Sequence, residues 1–244
     1  MRELPTLVVV NPPFRFLASV MNYSFPSLDI PVPALLRLGT VVIALERWDA
    51  IVDCPYDDFL GAADKSRLAG LHSSQARAEF IAGRAALHHA GRALSYDVTG
   101  MHIVYEPGSG KPQFASSEDS FQFSITHTRG LAGCIASRNS LVGCDCERLD
   151  RVIEPQELSI DLFGRAFTSK RDFLVEWTRL EASLKLHGHK LSDVIDRRAQ
   201  LLPGARIKAS ENYIDVGAIK SSFDINGEFV FSYCVGKNCE KHSR

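Results

Sequence analysis

Apolar and polar positions fall into blocks whose period alternates between that of strands and that of helices. The short run Leu7 to Val10 reads as a buried strand. Pro12, Pro13, Pro26, Pro31 and Pro33 then mark irregular chain, because each proline removes a backbone donor and restrains its neighbour. Thr40 to Leu45 is rich in β-branched residues and predicts a strand. From Ala62 to Ala90 the period is helical, with a break near His72 to Ser74. Phe80, Arg84 and Leu87 lie at i, i+4 and i+7, so Arg84 shares an apolar face, and its stem is expected to snorkel over the core.

Met101 to Tyr105 predicts a short strand, and residues 107–112 are rich in turn formers. Phe121 to Thr126, Leu131 to Ala136 and Leu141 to Glu147 predict three further strands, the last two joined by a turn at Arg138 and Asn139. Ser169 and Asp172 have capping-box spacing before a helix over Lys170 to His187, which Gly188 ends. Asn212 to Ile219 predicts a strand. A hairpin follows from Phe223 to Ile225, the Asn226-Gly227 turn and Glu228 to Val235. Each half is thus a long helix with several strands, which predicts an α+β fold of two similar lobes, residues 1–115 and 116–244, although no sequence repeat is visible.

Composition narrows the function classes. With 28 Lys plus Arg against 29 Asp plus Glu, the 244-residue chain lacks the basic excess of most nucleic-acid binders. No stretch approaches the ~20 apolar residues of a membrane span, and the run at Leu7 is short for a signal sequence, so a cytoplasmic protein is expected. The six cysteines are expected to be reduced thiols in a chain long enough to build its own core. Cys144 and Cys146 are one residue closer than the usual paired zinc ligands, and no second Cys/His pair at finger-like spacing follows.

The segment Gly143-Cys144-Asp145-Cys146-Glu147 carries the first chemistry. In a strand Asp145 and Glu147 project from one face and the two thiols from the other. Side by side, the carboxylates raise each other's pKa unless a cation compensates. A metal site and a solvated strand end both satisfy this pattern. On the following helix Phe173, Trp177, Leu180 and Leu184 form a buried stripe, while Trp177, Glu181 and Lys185 lie at i, i+4 and i+8 along its edge. Glu181 could complete an oxygen site for Mg²⁺ and Lys185 meet a phosphate sharing it. An ordinary ion pair between the two is the alternative.

Two further segments bear on phosphate. Gly108-Ser109-Gly110-Lys111-Pro112 is no Walker A loop, since Pro112 stands where that motif needs Ser or Thr, but the turn can present Lys111. In Phe123-Ser124-Ile125-Thr126-His127-Thr128 the hydroxyls alternate with Phe123, Ile125 and His127. No G-x-S-x-G elbow accompanies them, which favours His127 as a ligand contact over a triad base and leaves a structural histidine open.

Taken in order, these segments resemble the 4'-phosphopantetheinyl transferase superfamily, in its larger two-lobed, surfactin-synthetase-activating type. Gly110-Lys111-Pro112 is similar to the first family motif, and Phe123 to Thr128 to its Asn-x-Ser-His segment with Ser and Thr substitutions. Val142 to Glu147 matches the hydrophobic-Gly-x-Asp-x-Glu strand. Trp177 to Lys185 matches the Trp-x-x-Lys-Glu-Ala-x-x-Lys helix except at Leu180, where the family has Lys. The motifs span Lys111 to Lys185, with looser likeness outside them.

The resemblance implies two pseudo-symmetric lobes with coenzyme A in the cleft between them. It assigns Asp145, Glu147 and Glu181 to Mg²⁺ and Lys185 to phosphate. Lys111, Pro112 and His127, with Thr126 assisting, are assigned to the nucleotide portion, and Arg84 to the 3'-phosphate. The implied reaction is attack by a serine of an apo acyl or peptidyl carrier protein on the β-phosphoryl group of coenzyme A, releasing 3',5'-ADP. Glu181 is the implied proton acceptor, and Asp145 and Lys185 act beside it. A monomer can close such a cleft alone. Loss of the Lys at Leu180 sets up the alternative of a regulatory protein that binds coenzyme A or a carrier without efficient transfer.

Overall fold

The hydroxyl of Ser73 accepts the backbone N–H of Ala76, and this cap explains why the helical pattern breaks at His72 to Ser74 and restarts. The computed structural model describes residues 6–9, 27–28, 33–47, 58–108, 110–115, 121–192 and 219–237. Their order is β1 (Thr6–Val9), β2 (Ser27–Leu28), β3 (Ala34–Leu38), β4 (Val41–Glu46), α1 (Ala62–Ala69), α2 (Ser74–Ala93), β5 (Ile103–Tyr105), β6 (Pro112–Phe114), β7 (Gln122–Thr128), β8 (Leu131–Ser137), β9 (Ser140–Arg148), α3 (Pro155–Phe163), α4 (Lys170–His187), β10 (Ile219–Ile225) and β11 (Phe229–Lys237).

The fold is mixed α+β. One sheet has the order β1-β3-β4-β8-β7 and the other β2-β10-β11-β9, with β5 and β6 forming a small ribbon. Only the β1–β3 and β2–β10 pairs are parallel among the described strands. Each sheet takes strands from both sides of residue 115. The β10–β11 hairpin forms at Asn226-Gly227, both with positive φ (56° and 71°), and β11 begins at Phe229 because Glu228 still belongs to the turn. Of the strand expected over Asn212 to Ile219, only Ile219, the first residue of β10, lies within the described residues.

The strand period decides the layering. On β4, Val42 and Ala44 face Ala86, Leu87 and Ala90 of α2, while Ile43 and Leu45 face the other sheet. There they meet Cys144 and Cys146 of β9 and Phe229 and Phe231 of β11. On the far side of the second sheet, Phe173, Leu180 and Leu184 of α4 pack with Val230, Leu162 and Phe163. The layers therefore run α2, sheet, sheet, α4.

β7 and β9 are edge strands of different sheets and pack against each other without a backbone ladder. The Ser124 hydroxyl accepts the Cys144 N–H at 3.2 Å, and the Thr126 hydroxyl accepts the Cys146 N–H at 3.1 Å. Those buried donors would otherwise be orphans.

Candidate active site

β9 places the acidic segment and α4 covers it. Cys144 and Cys146 point into the core between the sheets, as the alternation predicts, and burial pushes the Cys144 thiol up to about 12 and the Cys146 thiol well above its ordinary value. The opposite face is not solvated: Asp145 is only 7% exposed. α4 lies close over β9 at Gly143, where an added Cβ would collide with the Ala182 carbonyl oxygen and approach Leu186 N to 2.5 Å.

The Asp145 carboxylate accepts from Lys185 Nζ at 2.7 Å and from the Thr126 hydroxyl at 3.0 Å, both through Oδ1. Burial pulls the Lys185 ammonium down, but Asp145, Cys144 and Glu181 outweigh it, so the group stays charged above its ordinary range. Glu147 accepts from the Thr128 hydroxyl at 3.3 Å and pairs with Arg151. Burial raises the pKa of Glu147, opposed by Arg151 and helped by Asp145. Burial also raises Glu181, and the charges of Asp145 and Glu147 add to that while Lys185 opposes it.

The three carboxylates thus feel one another, with Lys185 paired to Asp145 and Arg151 to Glu147. Among the described residues no group of three or more His, Cys, Asp or Glu side chains is gathered to hold a metal ion. What suits a hard cation here is the donor chemistry alone: carboxylate oxygens within electrostatic reach of one another.

Beside this cluster lies a cavity of about 530 Å³, large enough for a sizeable ligand. Arg84, Lys111, Pro112, His127, Glu181 and Lys185 line it together, although they come from α2, the β5–β6 ribbon, β7 and α4. Thr126 and Asp145 sit behind Lys185, and Glu147 instead borders a second cleft with Arg129, Arg148 and Arg151. Arg84 is buried, with Nε on Asp64 at 3.0 Å, Nη2 near the Tyr105 hydroxyl at 3.4 Å and the guanidinium 4.7 Å over the Phe80 ring. It is held in place rather than snorkelling to solvent.

Lys111 donates to the Leu186 carbonyl at 2.8 Å, at the end of α4, and burial lowers its pKa against the raising effect of Glu106. His127 is half exposed, with Nδ1 3.5 Å from Glu79.

Arg67, Tyr105, His189 and Lys190 are among the cavity residues that the sequence did not single out. Arg67 stacks 4.6 Å over the Tyr105 ring, a contact between α1 and β5 that no local spacing encodes. His189 and Lys190 follow the helix-ending Gly188, and their place at a helix C-terminus was the available signal for cations near the site.

Leu180 is 5% exposed in the α4 core, and neighbouring Arg179 turns to the hairpin, donating to the Ser222 hydroxyl at 2.8 Å. Leu180→Lys is therefore expected to cost ~2–4 kcal/mol in a urea titration by stripping an apolar side chain from the core. A variant as stable as the parent would contradict that packing role.

Fold and site together define a mixed α+β protein with a cation-lined cleft beside a partly buried set of carboxylates. No helix among the described residues is long and apolar enough to cross a membrane. No protein-family model matches the chain, and no curated protein matches it.

Proposed function

We propose that the chain is a Mg²⁺-dependent 4'-phosphopantetheinyl transferase that moves the phosphopantetheine group of coenzyme A to a serine of an apo carrier protein, with release of 3',5'-ADP. One observation carries the reading: residues singled out in separate segments, Arg84, Lys111, Pro112, His127, Glu181 and Lys185, line a single cavity. In this reading each long helix with its sheet is one of two pseudo-symmetric lobes, coenzyme A occupies the cavity between them, and a monomer completes the site. The rival is a regulatory protein that binds coenzyme A or a carrier without transfer.

Asp145, Glu147 and Glu181 would hold the Mg²⁺, which supplies charge neutralisation to the phosphoryl oxygens. Lys185, charged and anchored on Asp145, stabilises negative charge developing at the phosphoryl group. Glu181 accepts the proton of the carrier serine, a role suited to a partly buried carboxylate of raised pKa at the cavity wall. Arg84, preset by Asp64, meets the 3'-phosphate, and Lys111, Pro112 and His127 border the nucleotide.

The raised carboxylates give a pH test. Since Glu147 and Glu181 have folded pKa values above the ordinary 4.5, the stability they contribute is fully present below their unfolded pKa. It is lost as pH rises through the folded values. A bound divalent cation favours the ionised forms, so Mg²⁺ is expected to raise the melting temperature at about pH 7–8 and to lose that effect near pH 4. Equal shifts at both ends would count against these carboxylates as the ligands.

The function itself is tested by intact-mass measurement of several apo carrier proteins incubated with the chain, coenzyme A and Mg²⁺. The expected result is addition of one phosphopantetheine to at least one carrier. Coenzyme A binding with no mass gain on any carrier would replace transferase by the binding-only reading.

A further inference from the structure

Between α4 and the C-terminal hairpin lies a run of hydroxyls that the proposed chemistry does not use. Thr178 and Ser232 are fully buried and Ser222 is 2% exposed. Ser222 Oγ and Ser232 Oγ are 2.7 Å apart, and Ser232 Oγ and Thr178 Oγ1 are 2.7 Å apart. Arg179 Nε donates to Ser222 Oγ at 2.8 Å, and the Thr178 hydroxyl reaches the Leu174 and Val175 carbonyls at 2.9 and 3.1 Å.

Proton counting fixes the direction of this chain. A guanidinium donates only and a carbonyl accepts only. Arg179 gives to Ser222, Ser222 to Ser232, Ser232 to Thr178, and Thr178 to the helix carbonyls. Reversed at either hydroxyl pair, the run leaves a buried O–H without an acceptor among these contacts. The chain therefore leaves α4 at Arg179, crosses β10 and β11, and returns to α4 at the adjacent residue Thr178.

Two adjacent anchors about 100° apart on a helix resist its rotation. Lys185 lies seven residues, about two turns, beyond Thr178 on nearly the same face, and its side chain leans back toward the helix N-terminus. Ser232, which holds Thr178, is the register partner of Asp145, which holds Lys185. We infer that Thr178, Ser222, Ser232 and Arg179 are positioning residues that lock the rotation of α4, so that Lys185 and Glu181 face Asp145. Their importance for phosphopantetheine transfer rests on the proposed reaction; the lock itself does not.

The test reads the Lys185–Asp145 contact without coenzyme A or metal, as the rate at which an amine-reactive ester acylates Lys185, followed by mass spectrometry. Thr178→Val removes the hydroxyl at nearly constant volume and is expected to raise that rate about fivefold, while Thr178→Ser stays at the parent rate. Leu162→Ala, a core truncation on α3, serves as a control for destabilisation alone. Acylation in Thr178→Val no faster than in Leu162→Ala would overturn the inference. Should Thr178→Val not fold, Ser222→Ala breaks the same chain in its middle and is read against the same control. Raised acylation with no carrier modification by the parent chain would sink the transfer reading and leave the lock standing. Unchanged acylation with carrier modification intact would do the reverse.

Discussion

On the proposed transferase reading, an Asp145→Asn variant is expected to keep its fold and to lose phosphopantetheine transfer by a factor of about 10²–10⁴. The amide oxygen can still accept from the Thr126 hydroxyl, so the link between β7 and β9 persists. Charge is what disappears: Lys185 loses its anchoring anion, and Glu181 loses one of the charges that raise its pKa. The Lys185 side chain is 33% exposed, so water screens the loss, and stability is expected to fall by only about 1–2 kcal/mol. Thermal melting alongside the rate of carrier mass gain separates the two effects. Transfer surviving within a few-fold of the parent would remove Asp145 from the chemistry, and unfolding would make it a structural ion.

Gly143→Ala is expected to destabilise the chain by ~3 kcal/mol or more, at the upper end of overpacking costs, and to disable the site with it. The new methyl would meet the Ala182 carbonyl oxygen and lie 2.5 Å from Leu186 N, both backbone atoms that no rotamer change can move. α4 would have to lift from β9 at the point from which Lys185 reaches Asp145. Urea titration checks the stability, and acylation of Lys185 checks the lift. A glycine replaced here at a cost below about 1 kcal/mol would mean that α4 rides on β9 more loosely than the contact requires.

The packing of α4 also answers the departure at Leu180. The position belongs to the stripe of Phe173 and Leu184, and its side chain is spent on the core. Arg179 offers no replacement cation at the cavity, since its guanidinium is engaged with Ser222 and Glu176. If the chain transfers phosphopantetheine, Lys185 and the residues around the cavity carry the phosphate charge without a lysine at 180.

Elements whose signals lie in neighbouring residues were legible from the chain itself. The Ser169 cap, α4, the thiol-carboxylate alternation of β9 and the Asn226-Gly227 hairpin are all set by spacings of two to four residues. β3, β6 and α3 escaped for the converse reason. Ala34 to Leu38 carries no β-branched residue, β6 has three residues beginning at Pro112, and α3 starts after Glu154, which makes no side-chain cap bond.

The candidate site divides along the same line. Local period determined that Asp145 and Glu147 share a face of β9 and that Glu181 and Lys185 share an edge of α4. Only the tertiary structure decided that Asp145 is buried against Lys185 while Glu147 turns toward Arg151, that Ser124 and Thr126 tie two sheet edges together, and that Arg84, Lys111 and His127 reach one cavity. The reason is physical: a spacing fixes the direction of a side chain about its own element. What that side chain meets depends on which faces the two sheets and their helices bury against one another, and, the Glu147–Arg151 pair apart, such contacts join residues from 19 to 75 positions apart.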